Sequence, residues 1–111
     1  MGTARLEWGS CVSGDCESGY GTFNYFSGDI YDGEFRNGQR VRGTRKYANG
    51  LTYAGEWVEG AHDQGTTTWP NGDVYVGQHL DLRPWGTGTK TYADGRVESG
   101  QWVFGTLEEP E

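Results

Sequence analysis

Branched aliphatic side chains are scarce. Leu, Ile, Val and Phe together number 17 in 111 residues, about 15%, a level that by composition alone borders on disorder. No apolar run approaches the roughly 18 residues of a membrane-spanning helix. No segment repeats apolar residues at the helical period of about 3.6, so no helix is expected to form a second layer. Cations are in the minority, with 9 Lys and Arg against 16 Asp and Glu and a net charge of −7. That balance argues against a nucleic-acid module, which draws on clustered Lys and Arg to displace counterions, and against global attraction to an anionic membrane. Residues 1–20 hold no apolar signal-peptide core. Leu6 stands where a myristoylation site wants Ser or Thr, and no Asn-x-Ser/Thr sequon occurs. These readings leave the cytoplasm, or a fragment of an exported protein, both open.

Glycine and aromatic rings are abundant instead. There are 20 Gly, 5 Trp, 7 Tyr and 4 Phe, and each large ring can bury about 150–250 Å², so a single small domain can build its core from rings. The glycines carry a period: Gly28, Gly50, Gly72 and Gly95 are spaced 22, 22 and 23 apart. Gly21, Gly43, Gly65 and Gly88 keep step, as do Gly33, Gly55, Gly77 and Gly100, and Thr22, Thr44, Thr66 and Thr89. Ring columns run through Tyr25, Tyr47, Trp69 and Tyr92, and through Phe35, Trp57 and Trp102, where His79 is the exception. The organisation that follows is four units at 19–40, 41–62, 63–85 and 86–107, preceded by a half unit or cap at 1–18 and followed by an acidic tail at 108–111.

Each unit reads as a β-hairpin around Ser27-Gly28, Asn49-Gly50, Asn71-Gly72 or Asp94-Gly95. Pro70 suits the second position of a type I turn, which makes Pro70-Asn71-Gly72 a three-residue loop with Gly72 left-handed. In that register Trp69 opposes Asp73, Tyr47 opposes Leu51 and Arg45 opposes Tyr53. Counting by twos then places Gly43, Arg45, Tyr47, Leu51, Tyr53, Gly55 and Trp57 on one face, and Thr44, Lys46, Thr52, Ala54 and Glu56 on the other. The expected fold is all-β: an elongated single-layer antiparallel meander of tandem hairpins, whose ring face must curl on itself or meet a partner. At its end Lys90 opposes Glu98, a cross-strand pair suited to a solvated last hairpin.

Tyr53-Ala54-Gly55-Glu56-Trp57-Val58-Glu59-Gly60 and Tyr31-Asp32-Gly33-Glu34-Phe35-Arg36-Asn37-Gly38 resemble the MORN repeat, the membrane occupation and recognition nexus unit, and the likeness spans about four fifths of the chain. The third unit departs from the pattern with Tyr75-Val76-Gly77-Gln78-His79 and an extra residue before Trp85, and the fourth with Glu98-Ser99-Gly100. The lead-in Cys11-Val12-Ser13-Gly14-Asp15-Cys16-Glu17-Ser18-Gly19 is similar to bacterial members. The resemblance implies an elongated β-sheet, sometimes dimeric, that serves as a scaffold or targeting module, in some members beside a lipid kinase, a lysine methyltransferase or a junctional membrane protein.

Candidate sites follow from these placements. Tyr31, Phe35, Tyr53, Trp57, Trp69, Tyr75 and Trp102 form the ring face, to be read first as core and second as a surface for a protein partner or a second copy; the Trp residues are the ones suited to both. Arg36, Arg40, Arg42, Arg45 and Lys46 hold five of the nine cations and are the candidate contact for an anionic phospholipid. The bland alternatives are a solvated loop between hairpins and, for Arg45, cation–π packing on Tyr53. Ring-and-glycine hairpins also occur in modules that bind cell-wall sugars or choline, a third reading. Catalysis finds little support. His62-Asp63 reads as an inter-hairpin loop, no Ser or Cys sits in a G-x-S-x-G elbow, and Gly86-Thr87-Gly88-Thr89-Lys90-Thr91 lacks the helix of a phosphate loop. Cys11 and Cys16 are open between a disulfide and free thiols; zinc would need two further ligands. No cofactor, metal or nucleic acid is expected.

Overall fold

The computed structural model describes residues 9–58, 61–80 and 83–108. Their ten strands are β1 (Gly9–Gly14), β2 (Gly19–Tyr25), β3 (Ile30–Arg36), β4 (Gln39–Lys46), β5 (Thr52–Val58), β6 (Ala61–Thr68), β7 (Val74–Leu80), β8 (Arg83–Thr91), β9 (Val97–Val103) and β10 (Thr106–Leu107). They lie in sequence order in one antiparallel sheet, the meander that the repeat period and the β-rich runs lead to. The half unit supplies β1, paired with β2; its first eight residues and the tail's 109–111 lie outside the described residues. The body measures 52 × 24 × 19 Å with a radius of gyration of 15.2 Å, against about 13 Å for a compact domain of this length.

The hairpin turns have the expected length. Tyr47 N–H donates to Leu51 O at 2.8 Å and Gly50 N–H to Tyr47 O at 2.9 Å, and the same pair of bonds recurs between Trp69, Asp73 and Gly72. Gly50 and Gly72 take φ of +96° and +99°, which a side chain on either would strain. The opposite ends of the hairpins are looser. Asn37-Gly38 closes β3 on β4 with φ of 53° and 77°, the two-residue turn whose twist suits paired strands. Register shifts interrupt the ladder between Glu34 and Phe35, between Gly55 and Trp57, and between Gly77 and His79. The last absorbs the third unit's extra length: Gly77 still pairs Gly88 while His79 pairs Pro84, so the ring column keeps its place.

The two faces divide as counted. Tyr31, Tyr53 and Tyr75 are fully buried, and Phe35, Trp57, His79 and Trp102 nearly so, although no second layer covers them. They cover one another. Phe35, Tyr31, Trp57, Tyr53, His79, Tyr75 and Trp102 form a zigzag of edge-to-face contacts with centroids 5.0, 5.8, 5.0, 4.9, 5.0 and 5.5 Å apart, each worth roughly 0.5–1.5 kcal/mol beyond area burial. Three of those contacts step from one unit to the next across an intervening strand, and there the glycine columns explain themselves. A Cβ on Gly43 would lie 2.8 Å from the Tyr31 hydroxyl, one on Gly65 2.6 Å from that of Tyr53, and one on Gly88 2.0 Å from that of Tyr75. Each phenol lies over backbone and bonds to it: Tyr31 to the Glu34 or Arg42 carbonyl, both at 2.9 Å, and Tyr75 to Gln78 O at 2.8 Å. Tyr53 donates to Glu56 O at 2.7 Å and accepts from Asp63 N–H at 3.2 Å. Burial pushes the Tyr31 and Tyr53 phenols up to about 12.

Candidate interaction face

Of the seven residues expected on the ring face, six are consumed by the zigzag, with exposures of 4% or less. Trp69 alone is half-buried. On this face the rings of the neighbouring column, Tyr25, Tyr47, Trp69 and Tyr92, are all half-buried; outside it Tyr20, Phe26, Trp85 and Phe104 are exposed. The sequence displays that column plainly, but its rings stand at the hairpin turns, where burial is not decided by strand alternation.

Cations are interleaved with these rings. The Arg45 guanidinium carbon lies 4.1 Å from the Tyr25 centroid and 4.9 Å from that of Tyr47. Lys90 Nζ sits 4.6 Å from Trp69 and 4.8 Å from Tyr92, and Arg96 stacks on Tyr92 at 4.2 Å. Arg45 does oppose Tyr53 in register, yet its charge rests on Tyr25 and Tyr47, not on Tyr53 as the register suggests. The reason is Asp29, whose Oδ2 accepts from Arg45 Nη2 at 2.6 Å and Nε at 3.1 Å. Burial pushes the Asp29 carboxyl up, but the Ala48 N–H and the Arg45 guanidinium outweigh it and hold the group below its ordinary value. Lys90 likewise opposes Glu98 without pairing to it: its ion contact is Asp73 at 4.0 Å, and Glu98 accepts instead from the Tyr92 hydroxyl at 2.6 Å.

The basic run is not a solvated loop, because four of its five members lie in strand β4, and alternation, together with the register shift opposite Glu34 and Phe35 that turns Arg40 away from Arg42, divides them. Arg40 faces the rings, with its guanidinium 4.5 Å from the Trp57 centroid and a bond to the Tyr25 hydroxyl. Arg45 shares that face. Arg42 is on the other, between Glu34 at 3.3 Å and Glu56 at 3.7 Å, with Lys46 exposed beside it and Arg36 exposed at the end of β3. The structure therefore does not gather the five into one cationic patch.

His62 and Asp63 belong to β6 and not to a loop, and His62 comes to lie against Trp57 with centroids 4.4 Å apart. His79 is 17 residues further on but its ring is 6.4 Å from that of His62. Sequence spacing hid this meeting, since strands β6 and β7 have to pair before the residues approach. Trp102 donates its indole N–H to Gly88 O at 3.0 Å, whereas the buried indole N–H of Trp57 has no acceptor among the described residues. Cys11 and Cys16 are joined with sulfurs 2.08 Å apart; Cys16 is buried beneath Gly21, and Cys11 is exposed. Among the described residues no group of three or more His, Cys, Asp and Glu is arranged to hold a metal ion.

Together these features describe a repeat module with a self-packed ring core and a rim of half-buried rings and cations. No curated protein matches the chain. The MORN repeat family matches it at residues 31–52, 53–74 and 83–95, about half of its length, with two of the matches beginning on the zigzag phenols Tyr31 and Tyr53. The chain belongs to the MORN repeat family.

Proposed function

We propose that the chain is a non-catalytic repeat scaffold that binds a protein partner, a second copy included, along the rim column of its ring face. The observation that carries this reading is the row Tyr25, Tyr47, Trp69 and Tyr92, half-buried and interleaved with Arg45, Lys90 and Arg96. Trp, Tyr and Arg dominate the energetics of protein interfaces because they combine large apolar area with a polar handle. The deeper rings are spent on folding, so a partner meets the rim. The division of Arg36, Arg40, Arg42, Arg45 and Lys46 between two faces gives an anionic lipid head group no single cationic surface. The test is molar mass by light scattering across concentration, with capture of partners from the native host, for the wild type and for Trp69→Ala. An unchanged far-UV spectrum with association reduced at least about tenfold, the loss typical of an interface anchor, supports the reading. Equal association by both proteins refutes it.

A further inference from the structure

The second and third units meet on two imidazoles. His62 lies 4.3 Å from Tyr53 and 4.4 Å from Trp57, and its Nε2 is 2.7 Å from the Tyr47 hydroxyl. His79, 4% exposed, lies 4.9 Å from Tyr53 and 5.0 Å from Tyr75. Its Nδ1 faces the carbonyls of Gly77 at 3.0 Å and Asp63 at 3.2 Å, and its Nε2 is 2.7 Å from Thr67 Oγ1. Carbonyls at Nδ1 require a proton there, so in the neutral ring Nε2 is the acceptor and the Thr67 hydroxyl the donor. The titratable and charged groups around the two rings are Arg40 and Arg45 from β4, Tyr47 from the turn, Tyr53 from β5, Asp63 from β6 and Tyr75 from β7. Two are fixed cations and one is a carboxylate. Neither imidazole has an ion pair among the described residues.

We propose that the His62–His79 pair makes the junction of the second and third units an acid-opened seam, at which β5, β6 and β7 part on the ring face while the outer hairpins stay paired. Protonating both rings sets two like charges 6.4 Å apart, centroid to centroid, inside an aromatic cluster and beside two guanidiniums. The one carboxylate nearby, Asp63, favours the charge on His79 but is outnumbered by the cations, so the charges are relieved by admitting water. Burial first, then the neighbouring charges of His79, Arg40 and Arg45, push His62 down to about 3, and burial pushes His79 down as well. The unfolded chain takes up these protons near about 6.5. Folded stability is therefore complete above that value and is lost progressively as pH falls toward the folded values. Carboxylates contribute lower down, since Asp29 is held below its ordinary value, so the window above about pH 4 belongs to the imidazoles. On the proposed rim-binding function, opening the seam would release a partner in acid; that consequence rests on the function, whereas the seam itself does not.

The test needs no partner. His ring-proton chemical shifts and the near-UV circular dichroism of the full chain are followed from about pH 8 to about pH 4, for the wild type, for His62→Gln and for His79→Trp, which restores the column's usual ring. The wild type is expected to lose ring dichroism in this window, with both imidazoles resisting protonation until it does. In each variant the transition moves down by about one pH unit or more, because one of the two linked protons is gone. Ring dichroism unchanged to pH 4, or imidazoles titrating freely near about 6.5 with the ring signal intact, overturns the proposal. Should a variant not fold, the wild-type shifts and dichroism decide the matter alone.

Discussion

Asp29 and Asp73 hold equivalent places, each just after a turn glycine, and their removal is predicted to cost very different amounts. Asp29 Oδ1 accepts from Ala48 N–H at 2.8 Å and Oδ2 accepts twice from Arg45, with the two side chains 11% and 16% exposed. Asp73, with a side chain 14% exposed, accepts from Ala93 N–H at 2.9 Å but meets Lys90 only at 4.0 Å. Asp29→Ala therefore loses a charge-assisted bond to the next turn and leaves a guanidinium uncompensated between two rings, a loss of about 3 kcal/mol. Asp73→Ala loses one backbone bond and an ion contact too long to be a hydrogen bond, about 1–2 kcal/mol. Asp29→Asn keeps the acceptor for Ala48 and removes the charge, so it falls between them. Urea unfolding read by fluorescence and by far-UV dichroism measures all three, with two probes because repeat arrays need not unfold in one step. A cycle with Arg45→Ala should give a coupling of about 1.5 kcal/mol or more. Equal costs at Asp29 and Asp73, or a coupling near zero, would refute the assignment of Asp29 as the strut between the first two units.

Further predictions concern the glycines and the phenols. A Cβ on Gly33 would lie 2.5 Å from Arg42 O and 2.6 Å from the Gly43 Cα, so Gly33→Ala is expected to cost more than about 3 kcal/mol, an overpacking loss with no flexible neighbour to yield. Gly95 has nothing within 4 Å and a φ of +97°, so Gly95→Ala should cost only the backbone strain, about 1 kcal/mol, read by the same urea midpoints. Tyr53→Phe strands the Glu56 carbonyl and the Asp63 N–H and should cost about 1–3 kcal/mol while leaving the ring contacts intact, which near-UV dichroism checks. Lowering pH below the ordinary carboxylate range of about 4 should progressively remove the Asp29 contribution, because its folded value is depressed: the stabilisation is complete above the unfolded value and is lost as pH falls through the folded one; the acid limb should be shallower in Asp29→Asn.

Much of this architecture is legible from period and alternation. The glycine columns carry the repeat period, Pro70 indicates the loop length, and counting by twos puts Tyr31, Tyr53 and Tyr75 on the inner face, where they are buried. What stayed hidden were the polar and charged contacts that cross between units. Arg45 opposes Tyr53 but lies over Tyr25, because a long side chain follows its carboxylate and not its register partner. His62 reads as loop because His-Asp is weakly β-forming, yet pairing with β5 draws it into strand. The rim column was visible as a pattern but not as the exposed one, since its rings sit where strand alternation gives way to turns.

Between units the residues vary in concert, and the variation explains where the histidines can sit. At the first junction Asp29 meets Arg45 and the Ala48 N–H; at the third Asp73 meets Lys90 and the Ala93 N–H. At the second, Leu51 stands in the Asp position, Thr67 in the cation position and Pro70 in the Ala position. Pro has no N–H to satisfy, so no carboxylate is wanted, and Leu51 is buried there instead. Without a carboxylate, a cation at position 67 would be a buried charge with no partner, and a hydroxyl takes its place. That hydroxyl is the group bonded to His79 Nε2. The junction that gave up its ion pair is thus the one able to hold neutral imidazoles in its core, and the same exchange leaves it without a carboxylate strut like Asp29 to steady those rings once they gain protons.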